Sequence, residues 1–487
     1  MNLLTDAWIP TQQNSKTQLV TLQSVLCSDE PYEIALSRDD MELACLQLLI
    51  CLTQVLFLPE DVKAWKQRIR TPLAEAEYEQ GIENYKDWFD LRHPETPFMQ
   101  IRGVSSKETT PIQKLFVGLP EGNNHAFFND AGDIQSISES AATIVLFNQA
   151  MNSPSFGGGF KGGFRGGAPI TTLMAGDKLR HSIWFNVLHK QSVLTLMPDY
   201  EVLKLQDKPV WVEPIKAKST IYAHEIGLLC GLFWQPAHIE LEFEDSAGAC
   251  EFYGMPVEDG RVVSFKKEKF VYEMIGDWIH PHSPRVVDLK SKVQKYRSFT
   301  TTAPAWTQLN HFVVSTDDQK EGHYPAAVVR QFHEMVASNQ LIVGGYRNKQ
   351  AAILQRRHDV FPLKAGWDKN GAQITALVNS AYEIKNLLRN KLYGFVKASG
   401  AEGVHEQAET IFYHQSEFLI HQALREVDWA DAAQYIQSLR NKLICLSWSI
   451  FAQVTQPYSH EPKMIKALAI AKLTLGKEFS KLKGESA

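Results

Sequence analysis

From about residue 368 to the end, apolar side chains return every three or four positions. Ile374, Leu377, Ala381, Ile384, Leu388 and Leu392 make one stripe, ended near Gly400, and Ala408, Ile411, Phe412 and Leu419 make a second. Ala432, Ile436, Leu439, Leu443, Leu446, Ile450 and Val454 make a third, stopped by Pro457. A fourth opens at Pro462, a residue suited to a first helical turn, and carries Met464, Leu468, Ala471, Leu475, Phe479 and Leu482. This spacing predicts four amphipathic helices. Joined by short loops, each can bury its stripe only against the others, so residues 368–487 are expected to form an antiparallel four-helix bundle.

Residues 1–362 follow a different rule. His238–Asp245 alternates apolar and polar positions and predicts a half-buried strand, and Phe265–Tyr272 and His311–Ser315 read the same way. The most apolar run, Leu43–Leu58, carries no charge but is interrupted by Gln47, Thr53 and Gln54. It is shorter than the roughly 20 residues a bilayer requires, which predicts a buried core helix rather than a membrane span. Asp39 is expected to cap its start, with Glu42 three residues on, and Pro59 to close it. Strands and helices are mixed with Gly-, Pro- and Asn-rich loops, without a βαβ rhythm or a repeat of 20–50 residues. The expected class is therefore α+β, with a large irregular N-terminal domain over 1–362 and an all-α domain over 368–487.

The chain has 487 residues, enough for two or three domains with real cores. Its 44% hydrophobic and 22% charged residues exclude a disordered or fibrous chain. Fifty Lys and Arg against 55 Asp and Glu leave a net charge of −5, so the chain is not uniformly basic and any nucleic-acid contact must come from local patches. The six cysteines form no C-x-x-C pair, which reads as reduced thiols in a cytoplasmic protein. The opening MNLLTDAWIP has no basic segment ahead of an apolar run, so no signal peptide is expected.

Against that background the run FGGGFKGGFRGG, Phe156 to Gly167, stands out. Seven glycines lie among residues 157–167, and the charges are Lys161 and Arg165 alone. Glycine lets a backbone approach a ligand and aim its N–H groups at phosphate oxygens, so the run reads as a cradle for a polyanion with two supporting cations, or as a loop without a ligand. It is not a Walker loop, because Gly162 follows Lys161 where Ser or Thr is needed. A second run, Gly344 to Arg357, carries Arg347, Lys349, Arg356 and Arg357 without an acid. Those cations could hold phosphates while Asn348 and Gln350 meet base edges; a solvated basic hairpin fits the same pattern. The third basic stretch, Arg261 to Lys269, alternates cations with apolar residues and reads first as an ordinary strand edge guarded by lysines. His280, His282, His358 and Asp359 lack a spaced set of further ligands. They leave a metal-dependent phosphodiesterase as the alternative. The nucleophile and zinc-protease motifs are absent, so no catalytic residue is assigned and the chain is not expected to be an enzyme.

Together the segments MNLLTDAWIP, SRDDMELA, FNQA, FGGGFKGGFRGG, GLFWQPAHIEL, KEKF, HPHSP, TTAPAWTQ, GGYRNKQA and RRHDV resemble the large-subunit (CasA) family of the type I-E CRISPR surveillance complex, Cascade. The resemblance covers nearly the whole chain and implies a large N-terminal domain followed by a four-helix bundle. It implies a non-catalytic protein that finds a short protospacer-adjacent motif in duplex DNA, opens the helix there for the guide RNA, and recruits a separate helicase-nuclease. The implied partners are the guide RNA, the other Cascade subunits, target DNA and that nuclease, with no membrane. Position by position, the motif-reading glycine loop falls on Ser155–Gly159, so on Gly157, Gly158 and Gly159. The minor-groove lysine falls on Lys269 and the strand-separating wedge on Gln350. An anchor loop at the guide's handle falls on Phe127 and Asn129. Lys161, Arg165, Arg347 and Lys349 are the expected contacts to the DNA backbone. Many relatives hold zinc with two cysteine pairs, but the corresponding positions here are Ser138, Ala141, Cys250 and Tyr253. No metal is therefore expected, with packing alone left to stabilise that spot.

Overall fold

The computed structural model describes residues 1–119, 132–258, 260–317, 320–335 and 337–483. They fall into two compact units. The first takes residues 1–301, 315–334 and 342–359, and the second takes 302–314, 335–341 and 360–487.

At the centre of the first unit lie two helices buried on nearly every side, α1 (Asp39–Leu56) and α2 (Glu139–Met151), packed against each other. Both lack a polar face, the pattern of helices enclosed by protein all round. The start of α1 differs from the expectation. Asp39 is its first helical residue, not its cap; Arg38 occupies the cap position with no side-chain hydrogen bond. Asp39, Asp40 and Glu42 instead place three carboxylates in the positively polarised first turn, and Glu42 Oε1 accepts from the Leu36 N–H at 3.3 Å. The helix ends at Leu56, ahead of Pro59.

Two small sheets carry the segments of functional interest. Strand β1 (Thr171–Ala175) borders β4 (Asn339–Lys349), which also pairs with β5 (Ala352–Leu363). In the other, β3 (Arg261–Glu268) lies between Thr110–Pro111 and β2 (His238–Glu244), antiparallel to both. The expected alternation holds in β2, where Ile239 and Leu241 are buried. The strand expected at Phe265–Tyr272 spans Arg261–Glu268 instead, leaving Lys269 beyond its end. His311–Ser315 is not a strand, because its first three residues belong to a short helix, Leu309–Val313. Adjacent Phe312 and Val313 are both buried, which a half-buried strand does not allow.

In the second unit α3 (Gly371–Ser399), α4 (Val404–Glu426), α5 (Ala432–Thr455) and α6 (Pro462–Lys483) pack as a helical bundle, with α3 touching the other three. Ile374, Leu388, Phe412, Leu443, Leu475 and Phe479 are buried as the stripes require. Gly400, at φ +76°, ends α3 in the left-handed conformation. Lys385 Nζ meets Glu409 Oε1 at 2.7 Å and Arg389 Nε meets Glu409 Oε2 at 3.0 Å. Burial raises the Glu409 pKa, but these two cations outweigh it and hold the carboxyl below its usual range.

Candidate nucleic-acid interface

The glycine run is pinned by its aromatic residues and left bare between them. Phe156 lies against Phe160 and Phe265, with centroids 5.5 and 5.9 Å away, and Phe164 stacks on Trp234 at 3.9 Å. Between those anchors Gly157, Gly158 and Gly159 adopt φ of +79°, +57° and +88°, three successive left-handed residues that side chains would strain. The exposed Lys269 reaches this turn from the end of β3 and donates from Nζ to the Gly158 carbonyl at 3.1 Å. The lysine and the glycine turn, 111 positions apart in sequence, therefore meet.

The two cations inside the run have different fates. Lys161 donates to the Tyr272 carbonyl, its ammonium 4.1 Å from the centre of the Tyr272 ring. Arg165 corrects the expectation of a phosphate contact, because it is only 4% exposed. Its guanidinium donates to Thr171 Oγ1 (2.9 Å), Ser283 Oγ (2.7 Å), the Met151 carbonyl (2.7 Å) and Asn152 Oδ1 (2.6 Å). Burial lowers its pKa to about 10. A guanidinium with these partners braces the loop from below.

The second basic run is a hairpin. Strands β4 and β5 are joined through Gln350 and Ala351, with Gln350 at φ +56° and its carbonyl accepting from Asn348 Nδ2 at 2.7 Å. Lys349 and Gln350 are exposed at the tip, whereas Arg347 is half-buried and Arg357 buried. Arg356 pairs with Asp39 at 2.6 Å, so it is not available as the phosphate-binding cation its sequence context suggested. Gln350 and Asn348 line one side of a cavity of about 670 Å³, whose other walls include Ser155, Gly162, Gly166 and Tyr272. The structure thus joins Lys269 to the Gly157–Gly159 turn and places Lys161 and Gln350 on one cavity, with Lys349 next to Gln350 at the exposed tip. Phe127 and Asn129 lie outside the described residues.

The hairpin is fastened to the core by residues that sequence reasoning missed. Tyr346, buried in β4, donates from its hydroxyl to Asp40 Oδ2 at 2.7 Å and accepts from Asn148 Nδ2 at 2.9 Å. Arg38 grips the same Asp40 carboxylate through Nε and Nη2 at 3.0 and 2.6 Å, and also donates to the Val117 carbonyl. A Cβ on Gly344 would run into the Leu43 side chain of α1, which would have to shift to admit it. The available signal was polarity out of place: Asn148 and Asn152 at the end of an otherwise apolar helix, and Asp40 at the head of another.

The remaining candidates are structural in their surroundings. His280 and His282 are buried, their rings 5.0 Å apart, and burial followed by the nearby Arg165 holds both pKa values down, His282 to about 3 and His280 well below the imidazole range. His358 is half-buried on β5, its pKa lowered by burial against the pull of Asp39 and Asp40. Among the described residues no three His, Cys, Asp or Glu side chains gather as a metal would need. Ser138 caps α2 by accepting the Ala141 N–H, and its hydroxyl is hydrogen-bonded to the Tyr253 hydroxyl. That spot is therefore held by hydroxyl hydrogen bonds as well as by packing, a correction to the expectation. With alanine at position 141 and hydroxyls at 138 and 253, buried Cys250 is the lone soft ligand, a set that does not suit tetrahedral zinc.

The fold is that of CRISPR-associated proteins of the CasA/Cse1 kind. It superposes on Thermobifida fusca Cse1 with a TM-score of 0.79 at 17% identity, covering 100% of this chain and 99% of that one. For Thermus thermophilus CasA (Cse1) the TM-score is 0.74 at 17% identity, with 99% of both chains covered. A chain of a structure described as a CRISPR RNA-guided surveillance complex gives 0.73 at 14% identity, over 98% and 99%. In sequence, the CasA/Cse1 protein of Thermus thermophilus is 24% identical over 225 residues, which span 44% of this chain and 42% of that relative. The sequence pattern of the family described as CRISPR-associated protein Cse1 matches residues 2–449, and the chain belongs to that family.

Proposed function

We propose that this chain is the large subunit of an RNA-guided surveillance complex. In this reading it finds a short motif in duplex DNA from the minor groove and starts strand separation there, without cutting. The observation that carries the reading is the junction of Lys269 with the left-handed Gly157–Gly159 turn, beside a cavity that the hairpin tip Gln350 also lines. The minor groove mainly distinguishes A·T from G·C, so a bare backbone turn and one flexible cation suit permissive reading of a short motif. Unstacking a base step costs on the order of a few kcal/mol, and a protruding side chain on a braced hairpin can offset this by occupying the opened step. Pairing with the guide RNA then supplies sequence specificity. Lys349 is the exposed cation we assign to the DNA backbone, with half-buried Lys161 and Arg347 as second and third. Arg165 leaves that set. The partners in this reading are the guide RNA, the other subunits, target DNA and a helicase-nuclease recruited after opening, all in the cytoplasm. The complex-bound relative named above supports this reading.

In the assembled complex, Lys269→Ala and Gln350→Ala should each weaken binding to motif-bearing duplex by about ten-fold, the scale of one or two lost polar contacts, while assembly and guide binding stay intact. Normal binding by both variants would refute the assignment. We also assign no zinc to the Ser138–Tyr253 spot; one tightly bound equivalent in a metal assay would contradict this. The metal-dependent phosphodiesterase alternative finds little support, since His280 and His282 are enclosed in the core. DNA cleavage by the chain with Mg²⁺ or Mn²⁺, lost in His358→Ala, would restore it.

A further inference from the structure

Five buried side chains from four separate segments form one continuous file of hydrogen bonds. Arg165 Nη2 donates to Asn152 Oδ1 (2.6 Å), and Asn152 Nδ2 donates to Asn148 Oδ1 (3.1 Å). Asn148 Nδ2 donates in turn to the Tyr346 hydroxyl (2.9 Å), which donates to Asp40 Oδ2 (2.7 Å). Every donor points the same way, from a buried guanidinium to a buried carboxylate. A file so polarised strengthens each of its members and defines one orientation for each amide. None of the five is more than 7% exposed.

The two ends matter more than the middle. Arg165 belongs to the glycine run, eight residues from the left-handed Gly157 and four from Lys161. Tyr346 lies on β4, four residues before Gln350 at the hairpin tip. Asn148 and Asn152 are i and i+4 at the C-terminal end of α2, one turn apart on the same face. That helix end therefore holds the glycine run with one amide and the wedge hairpin with the next. Thr171, first residue of β1 in the hairpin's own sheet, joins at the same place: its hydroxyl donates to Asn152 Oδ1 at 3.2 Å and accepts from Arg165.

We infer that Asn148 and Asn152, through Arg165 and Tyr346, are positioning residues that fix the strand-separating hairpin relative to the motif-reading loop. This rests on the reading given under Proposed function and deepens it. Reading and opening must fall on adjacent base steps, and a base step is about 3.4 Å, so slack of one hydrogen-bond length between loop and wedge would put the side chain at the wrong step. A duplex could then still be bound at the motif without being opened beside it.

The test uses the assembled complex and two readouts on one motif-bearing duplex: equilibrium binding, and permanganate reactivity of thymines next to the motif. Tyr346→Phe deletes one oxygen and keeps the ring. It should lower reactivity at saturating DNA by about ten-fold, the scale of one or two lost buried hydrogen bonds, while binding changes by less than about three-fold, because a displaced Gln350, unlike a deleted one, still contacts the duplex. Asn152→Ala, which cuts the file at its other end, should give the same split. Thr143→Val, on the same helix but outside the file, should change neither. In the Tyr346→Phe background the effects of Lys269→Ala and Gln350→Ala on reactivity should multiply, whereas in the parent they should not. Reactivity and binding falling in equal proportion, or neither falling in both cut variants, would overturn the inference. A Gln350→Ala arm separates the levels. If opening is lost there but kept in Tyr346→Phe and Asn152→Ala, the inference alone fails; if opening survives Gln350→Ala, the underlying reading fails with it.

Discussion

The four-helix unit and the loop-and-hairpin region obtain their order from different sources. In the bundle each helix is specified by its own sequence, and burying its stripe requires only neighbours of the same kind. Around α2, order comes from polar groups far apart in the chain that satisfy one another in the core: Asp40, Asn148, Asn152, Arg165 and Tyr346. Apolar packing tolerates rearrangement, whereas a buried hydrogen-bond file has one solution and is costly to leave half made. On the reading proposed above, in which two elements act within one base step of each other, the region gains from the second kind of order.

The contrast can be broken most forcefully at the cores. Leu388→Ala in α3 removes a fully buried side chain and should cost about 2–5 kcal/mol of bundle stability. Calorimetry should show this as a lowered Tm, without any change in DNA preference. Arg165→Met should cost about 3 kcal/mol, because four acceptors lose their donor at once. This loss should appear in the first unit, and the salt dependence of DNA binding should stay as in the parent. A salt slope lowered by about one with unchanged stability would mean that Arg165 faces phosphate after all.

A gentler probe is pH. His280 and His282 titrate in the folded protein well below their ordinary value near 6.5. The unfolded chain thus takes up protons first as pH falls, and the stability these residues contribute is complete above about 6.5 and lost progressively toward pH 3. At pH 5 the loss is about 2 kcal/mol per histidine, to be read from urea midpoints of parent and His282→Gln proteins between pH 7.5 and 5. A flat profile in the parent would contradict the burial of both rings. The smallest effect should come from the tip, where Lys349 is exposed. Lys349→Ala should leave stability alone and lower the salt slope by about one.

The bundle was legible because its signal is local and periodic, and every helix formed where its stripe predicted. The glycine turn and hairpin tip were legible as special chemistry, since glycine and uncompensated basic residues are rare in such density. What could not be read was which cations face outward. Lys161 and Arg165 have the same charge and the same glycine neighbours, yet one caps a tyrosine carbonyl and ring while the other is enclosed. Enclosure depends on Thr171, Ser283 and Asn152, contributed by other segments. His311–Ser315 misled for a simpler reason, as a five-residue stretch with three apolar residues is too short for its period to separate strand from helix.

The central claim is that a bare glycine turn with Lys269 reads the motif and that Gln350, held in register with it, parts the strands. Its most direct test is permanganate reactivity beside the motif in the guide-loaded complex, measured at saturating DNA for the parent and for Gln350→Ala. Reactive thymines in the parent and protected ones in the variant, at equal occupancy, are the expected result. Equal reactivity in both would contradict it.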